Sequence, residues 1–313
     1  MDYTEIIKAT QKELKAHSEE WIGQYELYLR DTLMNINAIC KRRKQFHKWA
    51  NLSVYYTIGR AKSNSPLFDL RYLGQSVGSI CCKKNGVFLR ISKDQYANNS
   101  NSDYFVGYPT ICKAGEYDWK KDEVAKAFRK YFQSSPEKKK HPEHRYENLL
   151  LNEFYKKTSK NKSLLGIRPI TIGKDTDLFF QMPTPLTASK DVIKFSKGHG
   201  GIDILARHNR TLTVIELKDE YQNPYEVIRQ AIAYATFITE LCNTKAKSDF
   251  WKLCGFGSDS QQLINVVCML PAPIDKPEPS FAKEIVAVPN SDVQLCLHYI
   301  YFDDEAKITK ASL

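Results

Sequence analysis

Gly200-Gly201-Ile202-Asp203-Ile204-Leu205-Ala206-Arg207-His208-Asn209-Arg210-Thr211-Leu212-Thr213-Val214-Ile215-Glu216-Leu217-Lys218 is the stretch whose reading decides the fold. Ile202, Ile204 and Ala206 alternate with other side chains, His208-Asn209-Arg210 makes a polar turn, and Leu212, Val214 and β-branched residues follow. That pattern predicts two strands joined by a short turn. Glu216 and Lys218 are two apart, so they leave their strand on one face. Antiparallel pairing about the turn brings Asp203 level with Glu216 to Lys218. Two acids and one amine then meet at one end of an apolar ribbon, where charges must be paired, solvated or bound to a metal.

A hard divalent cation takes oxygen ligands, and Mg²⁺ in particular accepts one or two carboxylates together with water and phosphate oxygens. A neighbouring lysine is suited to orient a water and help deprotonate it. Downstream, Pro224 to Phe237 reads as a helix, with Pro224 in its first turn and Val227, Ala231, Tyr234 and Ile238 along one apolar stripe. Gln230 and Tyr234 are four apart and share a face.

These residues resemble the PD-(D/E)XK nuclease superfamily. Ile202-Asp203 matches the first half-motif without its usual proline, Glu216-Leu217-Lys218 matches the second, and Gln230-x-x-x-Tyr234 matches a helix signature of several branches. The resemblance covers roughly residues 144–300. It implies an α/β fold with a restriction-endonuclease-like core, a mixed central sheet flanked by helices. It further implies catalytic roles for Asp203, Glu216, Lys218, Gln230 and Tyr234, and a metal held by Asp203, Glu216 and the Leu217 carbonyl. Members often add an acid from the first core helix. Here that helix is expected over 143–157, and Glu147 is the choice because it stands one turn before Leu151 on an apolar face; Glu153 is the runner-up. His199, in Gly198-His199-Gly200-Gly201, is read as a loop residue, with contact to the scissile phosphate as the other role.

The rest of the chain is organised around this part. Of 313 residues 42% are hydrophobic, enough for two domains, and no apolar run approaches membrane-spanning length. The formal charge is +10. Residues 1–143 hold 25 Lys and Arg against 16 Asp and Glu, whereas residues 144–313 hold 21 against 20. A basic part beside an acid-bearing core is the distribution of a nuclease with a separate nucleic-acid-gripping domain. Residues 3–48 read as one long helix or two, closed by the basic run Lys41-Arg42-Arg43-Lys44 followed by His47 and Lys48, a candidate for phosphate contact. Strands follow over 52–58, 68–73, 77–82 and 87–91, the last two joined at Lys84-Asn85-Gly86. A polar loop is expected at 98–102, a helix over 119–132, and a linker over 134–142. The expected domains are therefore a basic α+β domain over 1–135, for nucleic-acid binding or regulation, and the nuclease-like domain over 143–313. In the latter, strands are expected at 167–172, 179–182, 263–270 and 293–302, with Pro183 and Pro185 ending the second. The eight cysteines have no CxxC spacing and read as buried free thiols of a reducing compartment, which weighs against zinc. Cys81-Cys82 reads as two faces of one strand rather than as a redox pair.

The expectation is a Mg²⁺-dependent nuclease (Mn²⁺ able to substitute), cytoplasmic, acting on nucleic acid, DNA above RNA, as a homo-oligomer and away from membranes. The layout is similar to restriction and anti-phage defence effectors such as the Shedu type. The competing reading is a catalytically silent nucleic-acid-binding or scaffold protein on the same fold.

Overall fold

The computed structural model describes residues 2–46, 52–60, 62–72, 75–101, 105–134, 146–147, 150, 154, 164–173, 178–189, 192–218, 222–257, 262–273, 284–305 and 307–313. The chain is α/β, with mixed sheets and helices. Its contacts form two compact units that do not follow the linear split at 135 and 143. One unit contains 1–33, 149–170 and 181–313; the other contains 34–148 and 171–180. Of the expected linker, residues 134–142, Ser134 closes a helix and the rest lies outside the described residues.

The first unit is built on a mixed sheet. The hairpin is β10 (Ile204–His208) and β11 (Thr211–Leu217), antiparallel with His208 opposite Thr211, so the turn is Asn209-Arg210. Asn209 takes φ 56°, a left-handed conformation that asparagine tolerates better than most side chains. β12 (Leu263–Pro271) and β14 (Gln294–Phe302) run parallel to β11, while β6 (Ile167–Pro169) pairs antiparallel with β10 at the far edge. β13 (Glu284–Ala287) and β15 (Ile308–Ala311) both pair antiparallel with β14. From Leu212 to Leu217 β11 is buried on both faces, as a central parallel strand must be.

The crossover from β11 to β12 is carried by helix α6 (Pro224–Cys242), which packs on both strands. Asn223 caps it, its Oδ1 accepting from the Tyr225 N–H at 3.1 Å, and Pro224 fills the first helical position. Helix α1 (Tyr3–Ala16) lies against α6 and buries Tyr3, Ile6, Ile7 and Leu14. Each fully buried Ile or Leu contributes about 1.5–3 kcal/mol. Several together hold α1 on a partner more than 200 residues away, which is why residues 1–33 belong to this unit. Helix α2 (Ser18–Met34) adds Trp21 and Tyr25, whose rings meet Phe237 of α6 at 5.6 and 5.1 Å. The break between α1 and α2 falls at His17, which stacks on Phe195 at 4.2 Å.

Two strands were not expected here. β8 (Pro183–Ala188) and β9 (Ile193–Gly201) form an antiparallel ribbon. The strand expected over 179–182 does stop at Gln181, before Pro183, but Pro183 then opens β8 and Pro185 lies within it, positions proline occupies at strand starts and in edge pairs. The Gly200-Gly201 segment is strand and not loop: a Cβ at Gly200 would run into the Leu186 carbonyl. His199 lies in β9, and its side chain is outside the described part.

The second unit carries a six-stranded sheet in the order β5-β4-β3-β2-β1-β7. These are β1 (Ser53–Thr57), β2 (Leu67–Tyr72), β3 (Gln75–Lys83), β4 (Gly86–Ile91), β5 (Gly115–Asp118) and β7 (Leu178–Gln181), antiparallel from β1 through β5. Helix α3 (Ile36–Arg43) precedes it, so the described part of 3–48 holds three helices, not one or two. Helix α4 (Lys93–Asn101) occupies most of the expected polar loop because Asn99 turns inward and donates from Nδ2 to the Val77 carbonyl at 2.9 Å. Helix α5 (Glu123–Ser134) begins later than expected: Asp118 accepts from the N–H groups of Lys120 and Lys121, and Asp122 accepts from that of Val124. Phe128 and Phe132 of α5 enter the core beside Gly78 and Tyr72.

All eight cysteines are free. Burial pushes the Cys82, Cys112 and Cys242 thiols up to about 12, and Cys254 and Cys268 higher still. Only thiolates alkylate readily. In native protein at about pH 8, iodoacetamide should therefore modify the half-exposed Cys40 and Cys81 first and reach the other six only after denaturation. Peptide mass mapping checks the order.

Candidate active site

The β10–β11 register pairs Ile204 with Ile215, and one step further Asp203 stands opposite Glu216. Asp203 ends that pairing: its Oδ2 accepts from the Leu217 N–H at 2.9 Å. Glu216 is 1% exposed, and Lys218 reaches back along the strand so that Nζ meets Glu216 Oε1 at 2.6 Å. Lys218 also donates its backbone N–H to the Met269 carbonyl of β12, which fixes the strand end beneath its side chain. Asp203, Glu216 and Lys218 thus gather on one face at the carboxyl ends of β11 and β12, where open α/β sheets place their ligand crevices.

Helix α6 supplies the next residues. Gln230 Nε2 donates to the Tyr234 hydroxyl at 3.1 Å. Burial raises the Tyr234 phenol first, and the nearby negative charges of Glu216 and Asp203 raise it further. Tyr234 therefore keeps its proton at neutral pH and remains a donor beside the two carboxylates. The five residues Asp203, Glu216, Lys218, Gln230 and Tyr234 belong to one unit and one neighbourhood.

Glu147 is engaged elsewhere. It belongs by its contacts to the second unit, where Oε1 accepts from Arg71 Nη1 at 3.1 Å and from the Tyr55 hydroxyl at 3.0 Å. Arg71 also donates from Nε to Asp69 Oδ2 at 3.0 Å, and its guanidinium lies 4.2 Å from the centre of the Tyr55 ring. Burial lowers the Arg71 guanidinium, but Glu147, Tyr55 and Asp69 more than offset this and leave it raised. The acid has its reason, and that reason is a partly buried arginine. Glu153 lies outside the described residues.

Among the described residues no group of three or more His, Cys, Asp or Glu is placed to hold a metal ion. What Asp203 and Glu216 offer is two carboxylates, an oxygen set of the kind Mg²⁺ accepts when water and substrate complete its shell. The donor chemistry fits such an ion. In the basic run, Arg43 is 2% exposed with its guanidinium 5.2 Å from the Phe46 ring, so it is not on the surface; Lys41 and Lys44 are. His47 and Lys48 lie outside the described residues. No described helix is long and apolar enough to cross a membrane.

Two neighbours of the site carry no local sequence signal. Cys268 pairs in register with Glu216. Tyr3, the first residue of α1, is buried, and its phenol is raised by that burial and then by Glu284, Tyr225 and Cys268. Only the folded sheet brings them near.

Compared with family models, curated proteins and solved structures, the chain matches no family model, no curated protein and no solved structure.

Replacing Glu147 with alanine should lower stability by about 1.5–3 kcal/mol, the range for hydrogen bonds to charged groups, since Arg71 keeps Asp69. Urea unfolding of Glu147→Ala against the parent measures it.

Proposed function

We propose that this chain is a Mg²⁺-dependent nuclease hydrolysing phosphodiester bonds, a cytoplasmic DNA endonuclease of restriction or anti-phage defence. The observation that carries this reading is the meeting of Asp203, Glu216 and Lys218 on one face at the end of the hairpin, beside Tyr234. The surroundings support it. A strand pair, a crossover helix and a parallel return through β12 and β14 are the elements that a PD-(D/E)XK, restriction-endonuclease-like core calls for. The excess of Lys and Arg in residues 1–143 suits a part that grips nucleic acid. Paired cuts on a duplex need two active sites, so the active form is an assembly of copies.

Asp203, Glu216 and the Leu217 carbonyl are the groups that would hold Mg²⁺, or Mn²⁺ in its place. When bound, such an ion supplies Lewis-acid stabilisation of the charge that grows on the scissile phosphate. In hydrolysis a water oxygen bonds to phosphorus, the bond from phosphorus to the leaving sugar oxygen breaks, and the proton the water gives up to solvent is matched by one that solvent returns to the leaving oxygen. The Lys218 ammonium carries three donors. These are enough to keep Glu216 while orienting the water and neutralising a phosphoryl oxygen. Glu216 fixes the reach of Lys218. The Asp203 bond to the Leu217 N–H holds the hairpin end on which both stand. Tyr234, kept protonated and held by Gln230, steadies the carboxylates.

The test incubates the protein with plasmid, linear duplex, single-stranded DNA and RNA, in Mg²⁺, Mn²⁺ or EDTA. The expected result is cleavage of DNA that needs metal and falls by about 10²–10³-fold or more in Lys218→Ala, the scale for losing one group that stabilises transition-state charge. Asp203→Ala should do the same. No cleavage of any substrate in either metal would overturn the reading in favour of a silent binding protein.

A further inference from the structure

The lysine of the site is already committed to Glu216, and two carboxylates stand beside it. With an ion on Asp203 and Glu216, the positive charge of the site serves the phosphate being cut, and the next phosphate of the backbone calls for a cation of its own. Helix α6 carries one. Over its first two turns the helix is open to solvent only at Tyr225, Glu226, Arg229 and Gln230; the rest is buried down to Leu241 except for Glu240. Arg229 lies on the same open arc as Gln230, which reaches Tyr234. Among the described residues its buried Nε meets no hydrogen-bond partner. Arginine stays charged in this state and its planar fork matches phosphate. A buried donor left unmatched is costly until a ligand arrives to accept from it.

We infer that Arg229 is the backbone-gripping residue of this site, holding a phosphate of the nucleic acid next to the bond being cut. The inference rests on the nuclease reading and adds to it. Lys218 serves the reacting phosphate; Arg229 serves its neighbour and sets where the strand lies. Arg229 is a positioning residue whose loss weakens substrate binding more than turnover.

The test measures binding of fluorescein-labelled duplex and single-stranded DNA oligonucleotides by anisotropy. It uses the full chain with Ca²⁺ in place of Mg²⁺, across about 50–200 mM salt. Arg229→Gln should weaken binding by about tenfold, the scale of one lost charge-assisted contact. It should also flatten the salt dependence by about 0.9 in log–log slope on duplex, or about 0.7 on single strands, one phosphate's worth. Arg229→Lys should keep the slope, because the charge stays, while losing part of the affinity with the fork. In Mg²⁺, KM should rise in Arg229→Gln with kcat little changed. Circular dichroism identifies a variant that fails to fold, in which case Arg229→Lys carries the comparison through its affinity alone. Unchanged affinity and slope in Arg229→Gln, with the parent still binding and cutting, would overturn this inference and leave the nuclease reading standing. A parent that neither binds nor cuts would overturn both.

Discussion

Glu216 puts a carboxylate at 1% exposure on a strand whose other buried residues are almost all uncharged, and much of the first unit answers to that fact. A lone buried charge of this kind is unfavourable by several kcal/mol. Lys218, two residues on, is the nearest compensation the strand itself can offer, and period-two geometry delivers it to the same face. The hairpin then brings Asp203 alongside, which spends one oxygen on the backbone of Leu217 instead of adding a second uncompensated charge. A sheet arranged only for stability would place an aliphatic side chain at 216, since replacing buried ion pairs by apolar residues is often neutral or stabilising. The chain keeps a charge where the fold alone gives no reason for one, and such positions mark function.

The parts legible in the sequence are those whose causes are local. The hairpin was readable because alternation and an Asn-containing turn act over a few residues, and α6 because its cap, its first-position proline and its apolar stripe are all contiguous. From these the meeting of Asp203, Glu216 and Lys218 followed by counting. Glu147 shows the limit. The sequence reading chose Glu147 as a metal-linked acid of the site because it stands on an apolar face, but nothing in the sequence says what meets it, and the structure supplies Arg71 and Tyr55. The β8–β9 ribbon was hidden by its prolines, which end strands in sheet interiors but are tolerated in a two-stranded edge pair. Asn99 hid α4 in the same way. Its composition reads as loop, and its buried amide is a tertiary fact.

The second unit solves its own charge problem by balance. Asp69 receives Arg71, Arg60 and the Ser76 hydroxyl, and Glu147 receives Arg71 and Tyr55, so two acids and two guanidinium groups share one network. Every anion there faces a cation with full hydrogen bonding, the condition under which buried charges are tolerated. The contrast with the first unit is informative. There, among the described residues, one lysine stands beside two carboxylates.

Helix α1 lies on α6, and more than 200 residues of chain separate them in sequence. During synthesis at about 5–20 residues per second, α1 leaves the ribosome roughly 10–40 s before its partner is made. For that interval Ile6, Ile7 and Leu14 have nothing to cover them, while the sheet of the second unit, encoded almost entirely in between, can already close. The nascent chain thus passes through a stage with one finished unit and an exposed amphipathic helix, a form that chaperones bind. The first unit cannot be completed until residues far downstream of α1 have been made. Asp203, Glu216 and Lys218 therefore meet in a finished sheet only after the second unit's sheet has been made.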